Sequence, residues 1–164
     1  MKNKVLYHGS KVPNIKVLEP QAHVVCKGRK VVFATDNRNY ALAMIHATGN
    51  ELAVSYAVNS KTDKIKIYID ELQIGKLKLL ENVGYLYEVE KEHFEPSPEK
   101  LKGEFVSYDT VTILSEIKID NIAKELTTAE DVYFVQYDNV LKSMQERGKI
   151  LKNPEIKHGV DRFE

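Results

Sequence analysis

The sequence predicts an α+β fold in which a largely antiparallel β-sheet is accompanied by few helices. Short apolar stretches with period-two alternation, typical of strands, recur along most of the chain, whereas only two stretches have the composition of a helix. The order is strands, one early helix, more strands and one late helix, without the regular alternation that a doubly wound fold requires. The usual dinucleotide and nucleotide cradles are absent, since the sequence contains no Gly-x-Gly-x-x-Gly motif and no P-loop.

The first fifty residues are predicted to form three short strands and one helix. The predicted strands are residues 4–7, 15–18 and 31–34. The polar segment from Gln21 to Lys30 is predicted to be a surface loop. Thr35-Asp36-Asn37 supplies side chains suited to a helix N-cap. The helix-forming stretch Tyr40–Ala47 follows it and is expected to end near Gly49.

The rest of the chain is predicted to be rich in strands, with one further helix. The predicted strands are residues 52–58, 64–69, 85–90, 105–108, 111–114 and 132–135. Residues 59–63 are predicted to be the turn of a hairpin, and the proline-containing stretch 95–99 is predicted to be a loop. The late helix is predicted from Asn139 to Arg147 and is expected to end at Gly148.

Length and charge limit the classes of function. A chain of 164 residues suits one domain, predicted over residues 1–148, with a charged tail over residues 149–164. Lys and Arg number 24 and Asp and Glu number 24, so net charge provides no long-range attraction to nucleic acid or to an anionic membrane.

No apolar run approaches the roughly 20 residues that span a bilayer, and His8 interrupts the N-terminus before a signal peptide forms. A soluble cytoplasmic protein with no membrane partner is expected. The single cysteine, Cys26, excludes an internal disulfide and a multi-cysteine zinc site.

Three short motifs carry the residue types that a small-molecule site requires. The first, Tyr7-His8-Gly9-Ser10, places an imidazole, a glycine whose bare backbone a ligand can approach closely, and a hydroxyl within one short turn. The second is Val32-Phe33-Ala34-Thr35, which leads into Tyr40-Ala41, and the third is Gly103-Glu104-Phe105-Val106-Ser107-Tyr108. Any one of these motifs is common, and their order along the chain makes them informative.

In this order the three motifs resemble the ADP-ribosyltransferase superfamily, in particular its His-Tyr-Glu branch, which includes diphtheria toxin and the poly(ADP-ribose) polymerases. In that family a first strand ends in His-Gly-Ser or His-Gly-Thr, a second strand of the type Tyr-Phe-Ala runs into a helix, and a late strand begins with the catalytic glutamate. The resemblance covers roughly residues 4 to 120. It implies a split antiparallel sheet and an enzyme that cleaves NAD at the nicotinamide–ribose bond. The ADP-ribose would pass to an unknown acceptor, either a protein, a nucleic acid or a small molecule.

The resemblance also implies a role for each motif residue, with NAD as co-substrate lying across the split in the sheet. The backbone N–H and C=O of Gly9 would hold the nicotinamide carboxamide, the Ser10 hydroxyl would add a contact to it, and His8 would hydrogen-bond the adenosine ribose. Glu104 would accept a hydrogen bond from the 2′-hydroxyl of the nicotinamide ribose. Because the reaction passes through an oxocarbenium-like state, an oriented carboxylate would counter the positive charge that develops.

The chain departs from the family in its second motif. Val32 stands where the family has the tyrosine that stacks on nicotinamide. An aromatic face suits a flat cationic ring, so valine is expected to weaken binding unless Phe33 or Tyr40 provides that face, with Tyr40 the stronger candidate. Three basic residues near the expected cleft are candidates for contacting the pyrophosphate: Arg29, Lys30 and Arg38.

Two alternatives to ADP-ribose transfer stay open. The Tyr-His-Gly motif also resembles that of RNA 2′-phosphotransferases, which transfer a 2′-phosphate from RNA to NAD. No set of basic and histidine residues for that phosphate can be assigned here, and the neutral net charge gives this alternative no support. The other alternative is a module that keeps the fold and binds NAD, ADP-ribose or a protein without chemistry, which the departure at Val32 favours.

Overall fold

The computed structural model describes residues 4–22, 28–47, 50–59, 61–98, 103–150 and 160–163. Contacts divide the chain into two units, each assembled from two separate stretches. The first unit comprises Met1–Ile45 and Val83–Asp120, and the second comprises His46–Asn82 and Asn121–Glu164. Cys26 and the middle of the predicted loop at 21–30 lie outside the described residues.

The described residues form mostly antiparallel β-sheet with few helices, as predicted. The strands are β1 (Val5–Ser10), β2 (Val17–Leu18), β3 (Gln21–Ala22), β4 (Lys30–Thr35), β5 (Leu52–Asn59), β6 (Ile65–Glu71), β7 (Gly84–Glu90), β8 (Glu95–Pro96), β9 (Glu104–Ser107), β10 (Val111–Thr112), β11 (Ser115–Ile119), β12 (Val132–Val135) and β13 (Val160–Phe163). The α-helices are α1 (Arg38–Met44), α2 (Ile122–Leu126) and α3 (Val140–Ile150). Short 3₁₀ helices occupy Lys76–Glu81, Lys91–His93 and Tyr137–Asn139.

The first unit is organised on an antiparallel sheet with the strand order β11-β7-β1-β4-β9-β8. β3 pairs with β4 outside this path, and β2 pairs with β10 in a separate two-stranded sheet. Because β1 lies between β7 and β4, the first sequence motif is at the centre of the sheet.

The main apolar core of the first unit lies on one face of this sheet. Alternate residues of the central strands supply it, since successive side chains of a strand point to opposite faces. Its buried members are Leu6, Leu18, Val32, Ala34, Val89 and Val111. A smaller cluster on the opposite face contains Val31 and Val106, with Phe33 and Tyr108 packed against them.

The second unit contains a four-stranded sheet with the order β12-β6-β5-β13. β5 and β6 form the predicted hairpin, and its turn is closed by Asn59, whose side-chain oxygen accepts from the N–H groups of Lys61 and Thr62. β12 pairs with β6 and β13 pairs with β5 in parallel. Parallel neighbours need a long connection, so no local pattern in the sequence indicated these pairs.

Several predicted boundaries differ from the structure. β1 continues through Ser10 instead of ending at Tyr7, because β7 pairs with it along its whole length. The helix predicted over residues 40–47 begins at Arg38 and ends at Met44. The predicted loop at 21–30 includes β3, which pairs with the start of β4.

The end of the chain also differs from the prediction. α3 continues past Gly148 to Ile150, since a glycine in a helix costs about 1 kcal/mol relative to alanine and does not by itself end the helix. Val160–Phe163, predicted as part of a charged tail, forms β13 against β5. None of the helices in the described parts of the chain is both long and apolar enough to cross a membrane.

Candidate functional site

The three sequence motifs meet on neighbouring strands of the first unit. β4 lies between β1 and β9, with Tyr7 opposite Thr35 and Thr35 opposite Glu104. Directly opposed residues of antiparallel strands share a face of the sheet. Tyr7, Thr35 and Glu104 therefore form one row across the three strands, although they come from distant parts of the chain.

β1 and β4 separate immediately beyond this row. One register pair, Tyr7 with Thr35, joins these two fully described strands, whereas β7 pairs with β1 from Val5 to Ser10. Across the separation, Nδ1 of His8 lies 2.6 Å from the carbonyl oxygen of Phe33. The imidazole thus supplies a hydrogen bond to a strand carbonyl at the place where the ladder stops. The sheet opens between β1 and β4 beside the His-Gly-Ser motif.

Burial favours the neutral form of the His8 imidazole. Desolvation lowers the pKa of His8 from its ordinary value of 6.5, and the hydrogen bond to the Phe33 carbonyl offsets part of this effect. A carbonyl oxygen only accepts, so Nδ1 carries the proton and Nε2 carries the lone pair. In this tautomer Nε2 is suited to accept a hydrogen bond from a ligand hydroxyl.

Glu104 lies half-buried at the first position of β9. The preceding residue, Gly103, has a φ of +79°, in the left-handed region that favours glycine, and its carbonyl accepts from Asp36 N–H at 3.2 Å. The Tyr40 hydroxyl donates to Oε1 of Glu104 at 3.1 Å. The turn before β9 and the start of α1 therefore position this carboxylate together.

The N-terminus of α1 fixes the backbone of Tyr40. Asn37 is the N-cap, and its side-chain oxygen accepts from Tyr40 N–H at 3.0 Å. The N–H of Asn37 in turn donates to Oγ1 of Thr35 at 3.1 Å. Thr35 belongs to the row that contains Glu104, so one short segment ties the strand, the cap and Tyr40 together.

Packing explains the glycine at position 9. A Cβ added to Gly9 would clash with the carbonyl oxygen of Ala41 and would lie 2.6 Å from Cγ1 of Ile45. The close approach of β1 to α1 therefore requires a glycine here, independently of any ligand. Ser10, next along β1, accepts from Val12 N–H through its Oγ at 3.1 Å and so shapes the turn that follows the motif.

The second motif offers no tyrosine at its first position and places its valine in the core. Val32 is 3% exposed and belongs to the main apolar cluster. The ring of Phe33 packs against Val31 and Val106, and its carbonyl accepts from His8. Tyr40, the stronger candidate to replace the missing tyrosine, donates to Glu104 through its hydroxyl.

The three basic candidates have separate positions. The guanidinium of Arg29 lies over the ring of Tyr108, 4.0 Å from its centroid, in a cation–π contact. Lys30 is exposed at the start of β4, and Arg38 is half-buried at the start of α1. Arg38 is thus the basic candidate closest in sequence to the Asn37 cap and Tyr40.

A buried hydroxyl that the sequence did not single out holds the loop after Ser10. The Tyr87 hydroxyl lies 2.6 Å from Oε1 of Glu116 and 2.5 Å from the carbonyl oxygen of Val12, and Asn14 N–H donates to the same carboxylate oxygen. Burial and the bond to Glu116 raise the pKa of Tyr87 to about 12, while the bond from Tyr87 and the N–H of Asn14 lower the pKa of Glu116. These partners are far apart in sequence, so no local signal indicated the network.

Comparison with known proteins identifies no relative whose function could be compared with the geometry around Glu104. No protein-family model, no curated protein and no solved structure matches the chain. The hydrogen bonds of Tyr40, His8 and Glu104, together with the opening between β1 and β4, are therefore the observations from which a function can be proposed.

Proposed function

We propose that this protein is an NAD-dependent ADP-ribosyltransferase that cleaves the nicotinamide–ribose bond. The observation that carries the proposal is the convergence of all three motifs on adjacent strands, with Glu104 held by Tyr40 beside the opening between β1 and β4. The sequence order of the motifs suggested such a site, and the register independently brings Glu104 into the same row as Tyr7.

The residues present are suited to NAD. The opening beside His8-Gly9-Ser10 leaves the backbone of β1 without strand pairing to β4, so its amide groups can bind a carboxamide. The neutral His8 carries an acceptor nitrogen of the kind that a ribose hydroxyl needs. The carboxylate of Glu104 supplies the kind of negative charge that a cationic transition state requires, and the Tyr40 hydroxyl donates to its Oε1.

In the proposed reaction, Glu104 accepts a hydrogen bond from the 2′-hydroxyl of the nicotinamide ribose. This orients the ribose and stabilises the positive charge that grows at C1′ as the bond to nicotinamide breaks. Nicotinamide leaves with the bonding electron pair. A nucleophile then bonds to C1′ and loses its proton; when water is that nucleophile, the products are ADP-ribose, nicotinamide and one proton.

The test is nicotinamide release from NAD, followed by chromatography with and without a cell lysate as a source of acceptor. Wild-type protein is expected to release nicotinamide, and Glu104→Gln is expected to lower the rate by about a hundredfold, because the variant lacks the charge that opposes the oxocarbenium. Glu95→Gln is the matched control, since Glu95 is exposed on the neighbouring β8. Equal rates for wild type and Glu104→Gln, with lysate present, would contradict the proposal.

The position of Val32 favours a second candidate, a module that binds NAD or ADP-ribose without turnover. Val32 is 3% exposed in the apolar core, so it offers no face that could stack on the nicotinamide ring. Calorimetry separates the two functions. A binding module holds NAD intact over hours, whereas an enzyme yields nicotinamide and a heat signal that continues after binding is complete.

A further inference from the structure

We propose that Tyr40 is a positioning residue whose hydroxyl, rather than its ring, serves the reaction by holding the Glu104 carboxylate ionised and in one orientation. The inference rests on the proposed function for its catalytic consequence. Its physical basis is the hydrogen bond from the Tyr40 hydroxyl to Oε1 of Glu104, 3.1 Å long and joining residues 64 positions apart.

Both ends of this hydrogen bond are anchored to the end of β4. Glu104 lies opposite Thr35 in the sheet, and the turn before Glu104 is bound to Asp36 through the carbonyl of Gly103. Tyr40 follows the Asn37 cap, which is itself bound to Thr35. Two side chains attached to the same short segment lose little freedom on meeting, so the contact is preorganised.

The chemistry of the pair suits a carboxylate that must stay charged. A phenol has an ordinary pKa near 10, so at neutral pH it donates a proton in a hydrogen bond without carrying a charge. A donor to the ionised carboxylate favours that form over the protonated acid.

A hydroxyl role and a stacking role for Tyr40 predict different results for two variants. Tyr40→Phe keeps the ring and loses the hydroxyl, whereas Tyr40→Leu loses both. If the hydroxyl positions Glu104, Tyr40→Phe lowers kcat by about tenfold, leaves KM for NAD nearly unchanged, and moves the acidic limb of the pH–rate profile to higher pH. If the ring acts by stacking, Tyr40→Phe matches wild type and Tyr40→Leu raises KM.

A second measurement needs no turnover. The side-chain carboxyl carbons of glutamate are labelled with ¹³C, the Glu104 signal is assigned as the one absent from Glu104→Gln, and its chemical shift is followed against pH. The midpoint for Glu104 is expected at higher pH in Tyr40→Phe than in wild type. Tyr133→Phe, which removes an exposed phenol from β12, is the control and leaves the midpoint unchanged.

These measurements separate the two proposals. Absence of nicotinamide release by wild type, together with a shifted midpoint in Tyr40→Phe, overturns the enzyme and retains the positioning contact. Turnover by wild type with an unshifted midpoint and an unchanged kcat in Tyr40→Phe overturns the positioning role and retains the enzyme. Circular dichroism of each variant establishes that the fold is kept.

Discussion

Glu104 in the first unit and the adjacent pair Asp70 and Glu71 in the second unit are carboxylates in two different kinds of surroundings. Asp70 is 2% exposed, and both of its oxygens accept from Nη2 of Arg147 at 3.0 Å. Glu71 accepts from the N–H groups of Leu77 and Tyr137 at 2.8 and 3.1 Å. Glu104 is half-buried at a strand end and accepts from a neutral phenol.

The surroundings of Asp70 and Glu71 indicate a role in the fold, whereas the position of Glu104 at a strand end suits the role in chemistry that we propose for it. Desolvation raises the pKa of Asp70 and Arg147 opposes that effect, while the N–H of Leu77 and other backbone groups lower the pKa of Glu71. Arg147 also lies over the ring of Tyr68 at 4.4 Å, which ties α3 to the sheet of the second unit. The charge of Asp70 is matched by Arg147 within the second unit, whereas Glu104 lies at the start of β9, where the Tyr40 hydroxyl donates to it.

Breaking the buried ion pair is expected to have the largest effect on stability. Asp70→Asn leaves the Arg147 guanidinium buried without its counter-charge and should lower the free energy of unfolding by about 3 to 5 kcal/mol. Glu104→Gln, which keeps an oxygen for the Tyr40 hydroxyl, should change it by less than about 0.5 kcal/mol. Urea denaturation of the full chain measures both. Similar losses in the two variants would remove the distinction between the carboxylates.

Adding a side chain where β1 packs closely on α1 should have the next largest effect on stability. Gly9→Ala introduces a Cβ against the backbone of α1 and should cost about 1 to 3 kcal/mol, because the carbonyl of Ala41 is main chain and cannot turn aside. Ser10→Ala is the control, with a smaller loss confined to the bond to Val12. If Gly9→Ala were as stable as wild type, packing would not require a glycine at this position, and ligand binding would be the remaining reason for it.

The pH dependence of stability should separate His8 from Glu71. The folded pKa of each group is lowered, so each contributes stability that is lost as the pH falls, below 6.5 for His8 and below 4.5 for Glu71. Denaturation midpoints are measured from pH 8 downwards. His8→Gln should flatten the curve in the first range and Glu71→Gln in the second. A His8→Gln curve parallel to that of wild type below pH 6.5 would contradict a half-buried imidazole that is held neutral.

The smallest expected effect on stability is an increase in the free energy of unfolding, produced by a substitution at Ser97. Ser97, 1% exposed, has an Oγ with no hydrogen-bond partner among the described residues, although its N–H donates to the carbonyl of Glu104 at 3.0 Å. Ser97→Ala removes this unsatisfied hydroxyl and should raise the free energy of unfolding by about 1 kcal/mol. Ser107→Ala, which removes a buried hydroxyl bound to Asp109 N–H, should lower it. A lower free energy of unfolding in both variants would show that the Ser97 hydroxyl has a hydrogen-bond partner.

Local patterns in the sequence predicted most of the strands but not how they are assembled. The alternation over residues 64–69 and 85–90 corresponds to β6 and β7, and the N-cap of α1 is Asn37, one of the three residues predicted to supply a cap. The parallel pairs of β12 and β13 and the division into two units depend on contacts between distant residues. Such contacts leave no periodic signal in either partner.

The candidate site shows the same limit at the level of side chains. The motif order singled out His8 and Glu104, and the structure places their strands on either side of β4. The prediction that the Tyr40 ring stacks on nicotinamide stays a prediction, and the structure adds a contact between the Tyr40 hydroxyl and Glu104. Which atom of a side chain meets its partner depends on the packing of α1 on the sheet, and sequence spacing does not encode that packing.

A crystal structure of Glu104→Gln soaked with NAD tests the central claim most directly, because the variant should bind the co-substrate without consuming it. We expect the nicotinamide ribose beside the side chain at position 104, with its 2′-hydroxyl in hydrogen-bonding distance of that side chain, and the carboxamide on the backbone of Gly9 where β1 and β4 separate. NAD bound elsewhere on the chain, with the opening between β1 and β4 unchanged and without ligand, would contradict it.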